Sequence, residues 1–176
     1  MTAKIEGEKG WIPISGNFVD ANDIATHWPT YQEAANKVGK KPSYRKWRVG
    51  RSVLITSSDS EAKEILDNPE GVFSHYFLYL NTVSKLASGT LGKDINLNKE
   101  LPEAITKAKN LIIVGNKKTV TEKLIQFIDQ VGPFGTLLLT GHDVGNSKKL
   151  WEDSFSEMSN SIQPILCKYI EQKFKI

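Results

Sequence analysis

The sequence predicts an α/β fold on a parallel sheet. Three observations carry this. Short apolar runs recur along the 176 residues, each bounded by glycine or polar turn residues. Amphipathic stretches with helix-capping signals lie between them. The run "GTLLLTG" (135–141) has almost no polar–apolar alternation, the pattern of a strand covered on both faces. Strands that alternate with helices form parallel sheets, whose ligands meet the carboxyl ends of the strands.

"GWIPIS" (10–15) reads as a buried strand, with Pro13 as a warning because proline removes a ladder donor. Ile24, Trp28, Tyr31, Ala35 and Val38 follow at helical spacing, up to a stop at Gly39. Pro29 is expected to divide this stretch into a short turn and a main helix that starts there. "WRVGRSVLIT" (47–56) is a second strand. Ser58 and Glu61 form a capping box for a helix that ends near Asp67, and "NPEG" is a turn.

Residues 72–110 form an excursion, with an aromatic-faced helix over 72–87 and a lid-like loop over 89–103. "LIIVG" (111–115) is a strand by composition. Thr119 and Glu122 form a second capping box, opening a helix that buries Val120, Leu124, Phe127, Ile128 and Val131. After "GTLLLTG", Trp151, Phe155, Met158, Ile162, Ile165 and Tyr169 share one side of a last helix, with a kink at Pro164.

The length suits one domain. A net charge of +3, from 23 basic and 20 acidic residues, argues against a nucleic-acid partner. The single cysteine, Cys167, excludes an internal disulfide and reads as a small core residue. No apolar run approaches a membrane span, and the N-terminus lacks a signal-peptide pattern, so the expected location is the cytoplasm. His27 and His75 have no metal-ligand company, and no metal is expected.

Three strand ends and one strand interior carry the candidate chemistry. At the first, Ser15 and Asn17 offer donors, and Gly16 lets a ring approach the backbone. At the last, His142 and Asp143 suggest acid–base work or a hydrogen-bonding loop pair. Gly115 to Thr119, with Lys117 and Lys118, open a helix whose N-terminus favours anions, although no Walker or Rossmann glycine pattern is present. Arg51, inside the second strand, either faces the pocket or pairs with a carboxylate such as Asp143.

The pieces "AKIEGEKGWIPIS", "HWPTYQEAANKVGKKP", "KWRVGRSVLITSSDSEA", "LIIVGNKKTVTEKLIQFIDQVGPFGTLLLTGHD" and "LWEDSFSEMSNSIQPIL", in this order, resemble the luciferase-like flavin-dependent monooxygenases, in their limonene- and alkanal-monooxygenase-like branch. The stretch 111–143 is the most specific, and together the pieces cover most of the chain. The resemblance implies the C-terminal part of a (β/α)8 TIM barrel, strands six to eight. A complete barrel takes ~250 residues. "LIIVG" then becomes a lead-in to the penultimate helix rather than a barrel strand.

The resemblance also implies oxidation of an organic substrate by O2 with reduced FMN. Ser15, Gly16, Asn17, Gly115 and Thr119 would bind the flavin, and His142, Asp143 and Arg51 would line the substrate pocket. Implied partners are a flavin reductase and an N-terminal half. The alternatives are a non-catalytic partial-barrel remnant, an interaction module, or a phosphate binder at the Gly115 turn. Open strand edges and an uncovered apolar face imply self-association of the chain alone.

Overall fold

The computed structural model describes residues 2–90, 95–142 and 147–175. Its centre is one extended segment made of two strands, β2 (Arg48–Arg51) and β3 (Val53–Ile55), joined by Ser52. β1 (Ile14–Ser15) and β5 (Thr136–Leu139) flank β2, both parallel to it. β4 (Ile113–Gly115) runs parallel to β3.

Backbone bonds place β4. The Pro13 carbonyl accepts from Arg48 N, Ser52 O accepts from Ile113 N, and Gly115 O accepts from Thr56 N. All three use even-numbered residues of the central segment, so β4 continues along the edge that β1 occupies lower down. "LIIVG" is therefore a strand, as its composition suggests, but it stands outside the three-stranded β1–β2–β5 sheet.

Alternation divides the central segment between two cores. Odd-numbered Trp47, Val49, Val53 and Ile55 pack against α2 (Ala21–Lys37), α6 (Lys117–Val131) and α8 (Gln163–Phe174). Leu54, on the other face, joins Phe73 and Phe77 of α4 (Val72–Ala87), Ala104 and Ala108 of α5 (Leu97–Leu111), and Trp151 of α7 (Lys148–Glu157). α3 (Asp59–Asp67) leads into this second core, and α1 (Thr2–Lys9) packs on α2.

Several expectations need correction. Pro29 does not divide α2, which is one helix. Trp28 stacks on Tyr31 and Trp47 at 5.3 and 5.8 Å, and Ile24 is fully buried; this packing offsets the ~3 kcal/mol an internal proline costs. The strand in "GWIPIS" shrinks to Ile14–Ser15, with Trp11, Ile12 and Ile14 exposed. "GTLLLTG" is covered on one face only: Leu137 and Leu139 pack on the first core, while Leu138 is 37% exposed.

Residues 97–103, expected as loop, form the first turns of α5, capped by Asn96. The cap of α6 is Asn116 rather than Thr119, and its Oδ1 accepts from Thr119 N at 3.0 Å. Ser58 caps α3 as its motif predicts, while Glu61 reaches back to Ser57 N.

In the tail, residues 158–162 make a π-turn just before Pro164. Proline cannot donate to the carbonyl four residues back, and the wider turn accommodates that loss. It also rotates the apolar face by about one residue. Leu166 is buried in place of Ile165, and Cys167, expected in the core, is exposed.

Candidate functional site

Three strand ends converge on one polar chain. Asn17 follows β1, Ser52 sits at the β2–β3 junction, and His142 follows β5. Asn17 Nδ2 donates to Ser52 Oγ at 3.2 Å, and Ser52 Oγ lies 2.9 Å from His142 Nε2. Gly50 keeps the crossing tight, because a Cβ there would stand 3.2 Å from Asn17 N. Aromatic rings box the imidazole: Tyr76 at 4.6 Å, Phe73 at 5.1 Å and Trp151 at 6.0 Å between centroids. Burial among them holds the His142 pKa below its ordinary value, which favours the neutral ring.

Ser52 was not singled out in the sequence. The available signal was parity: it shares the even-numbered face with Gly50, opposite Val49 and Val53.

The expected site residues divide. Gly16, Asn17 and His142 lie at the strand mouths. A Cβ at Gly16 would meet only the Phe18 ring, at 3.5 Å, so a flat group can approach the backbone there. Ser15 turns the other way: its Oγ accepts from Trp47 Nε1 at 3.0 Å and lies 2.9 Å from His27 Nδ1. Burial also lowers the His27 pKa.

Among the described residues, the polar partners of Arg51 are main-chain carbonyls. It lies on the helix side, 3% exposed, with its guanidinium 4.4 Å from the Phe127 ring centroid. Nη1 donates to the carbonyls of Asn17 and Val19 at 3.2 and 2.8 Å. Burial pulls its pKa down to about 10, with Asp20 opposing. Odd parity explains this placement, and the result is a clamp on the loop that carries Asn17. Asp143 falls outside the described residues.

Gly115 and Thr119 form a separate place. Gly115 pairs with Ile55, whereas Ser15 pairs with Val49. Six residues of extended chain separate those levels, about 20 Å. The α6 N-terminus already holds an internal anion: Asp59 accepts from Asn116 N at 2.8 Å, Asn116 Nδ2 at 2.9 Å and Thr119 Oγ1 at 3.0 Å. These bonds hold the Asp59 pKa down and engage the Asn116 main-chain and side-chain donors and the Thr119 hydroxyl.

Among the described residues, no group of three His, Cys, Asp or Glu side chains could hold a metal, and no helix is long and apolar enough to cross a membrane.

The fold and the site define a class: a parallel α/β scaffold with its polar groups gathered at the carboxyl ends of the strands. Comparison narrows it. The chain is 27% identical over 163 residues to 3,6-diketocamphane 1,6-monooxygenase of Pseudomonas putida, covering 92% of this chain and 43% of that enzyme. It is 23% identical to 2,5-diketocamphane 1,2-monooxygenase 1 of the same organism, over 92% of this chain and 45% of the relative.

Among solved structures, the oxygenating constituent of 3,6-diketocamphane monooxygenase from the P. putida CAM plasmid, a type II Baeyer–Villiger monooxygenase in complex with FMN, superposes with a TM-score of 0.70 at 24% identity, over 92% of this chain and 45% of that one. Monooxygenase RslO1 from Streptomyces bottropensis gives 0.60 at 14% identity, over 93% of this chain and 44% of that one. No protein-family model matches. The chain thus has an α/β fold similar to that of a flavin monooxygenase, and it spans under half the length of the curated relatives it matches.

Proposed function

We propose that this chain is one arc of an FMN-dependent, luciferase-like monooxygenase barrel, its C-terminal part, which oxidises an organic substrate with O2 and reduced flavin once a complementary half closes the ring. The observation that carries this is the convergence of Asn17, Ser52 and His142 at the carboxyl ends of parallel strands. The similarity to diketocamphane monooxygenases supports it.

The residues fit a flavin along one side. Gly16 admits a flat ring beside Phe18, and the Asn17 carboxamide offers polar contacts at the ring edge. Ser15, Gly115 and Thr119 act one step back: Ser15 fixes the strand end through Trp47, and Thr119 anchors the α6 turn on Asp59. Bound reduced FMN would supply oxygen activation. His142 lines the substrate side, where its neutral ring can donate or accept one hydrogen bond. The aromatic rings around it exclude water and strengthen that bond. Arg51 supports the pocket from behind, through the Asn17 carbonyl.

The complementary half is proposed from the open side of the sheet. Ile14 is 55% exposed there, in a two-residue strand whose outer edge is unpaired among the described residues. A flavin reductase is the matching partner for supply of reduced FMN, and the cytoplasm is the proposed setting. A second reading, a non-catalytic interaction module, draws on the inward turn of Ser15 and Arg51 and on the Asp59 plug, which leave few free donors.

Flavin fluorescence titration separates them. No FMN binding by the chain alone, but binding after addition of the part of 3,6-diketocamphane 1,6-monooxygenase that it does not match, supports the barrel arc. Binding in neither case overturns it in favour of the module.

A further inference from the structure

The polar chain at the strand ends has a direction. Asn17 Nδ2 can only donate, and it points to Ser52 Oγ. Among the described residues, the Ser52 hydroxyl hydrogen then has one acceptor, His142 Nε2. Where that nitrogen accepts, it carries no proton, and the imidazole proton sits on Nδ1.

Beside His142, between α3, α4 and α7, lies a cavity of about 730 Å³. Leu54, Val72, Tyr76 and Leu150 line it together with the imidazole. That size suits a small organic molecule. Among the described residues, Glu70 and His75 also line the cavity, and no lysine or arginine does.

We propose that Asn17 and Ser52 are positioning residues that hold His142 as a neutral Nδ1–H donor facing this cavity. Ser52 is 1% exposed, so Nε2 is committed to the strand floor and the ring cannot exchange that bond for water. The edge-on contacts from Phe73 and Tyr76 oppose a ring flip. Burial, which favours the uncharged ring, acts in the same direction. The inference concerns this chain without flavin and stands whether or not flavin binds.

The test is imidazole ¹⁵N NMR on the 176-residue chain at pH 7.5, with its three histidines assigned through H27Q and H75Q. The expected wild-type signature is a protonated Nδ1 and a bare Nε2 on His142. In N17D the new carboxylate accepts from Ser52, turns the hydroxyl round, and moves the proton to Nε2 or charges the ring. In S52A the Nδ1–H preference is lost. A wild-type Nε2–H tautomer overturns the proposal, and so does an unchanged Nδ1–H signature in folded N17D. The wild-type spectrum and N17D decide this even where S52A fails to fold.

Discussion

The two sides of the β1–β2–β5 sheet differ sharply although the same strands make both. On the helix side, Trp47 and Val49 are fully buried, Arg51 lies across Phe127, and Ser15 is locked to Trp47 and His27. On the other side, Ile14 and Leu138 meet solvent, and cover comes only toward the carboxyl ends, where Ser52, Leu54 and His142 lie under α4 and α7. A helix-covered parallel sheet is ordinarily apolar and buried on both faces. On the proposed reading, the bare region is where a complementary half would dock, while the covered region packs on this chain's own helices.

Substitutions can break that contrast. Trp47→Ala removes a fully buried ring that packs on Trp28 and Phe134, and should lower the urea unfolding free energy by about 3–5 kcal/mol. Arg51→Met strands the Asn17 and Val19 carbonyls and should lower it by about 2 kcal/mol.

Acid sharpens the contrast. Burial holds His142 and His27 below the ordinary 6.5, so the unfolded chain takes up protons first as pH falls. Their contribution is complete above about pH 6.5 and is lost through their folded values below it. Asp67 and Glu103, held near 2 by their lysine partners, lose their contribution only as pH falls from the ordinary carboxylate range toward 2. The urea midpoint should thus fall between pH 7.5 and pH 5, and H142Q should flatten that fall. The smallest effect belongs to the open side: Leu138→Lys should change the isolated chain by no more than about 0.5 kcal/mol, while weakening association.

Much of this contrast was legible in the sequence. The strand–helix alternation, the Ser58 cap and the buried face of α6 all follow from local patterns. The missing cover over Leu138 did not, because an unalternating run reads alike whether its second face is covered by the same chain or by another. The inward direction of Ser15 and Arg51 was hidden for a related reason. Their directions depend on Trp47 and Phe127, partners that come from distant sequence. The exposed Cys167 depends on a π-turn that adds a residue to one helical turn, which shifts every later position without changing the spacing pattern. Asn116 displaced Thr119 as cap because both fit the first turn, and Asp59, which decides between them, comes from another helix.

Sedimentation velocity tests the bare sheet most directly. The account predicts that the chain alone self-associates with rising concentration, and that the unmatched portion of 3,6-diketocamphane 1,6-monooxygenase converts it into a one-to-one complex, which Leu138→Lys weakens. A clean monomer at high concentration, indifferent to that portion, would contradict it.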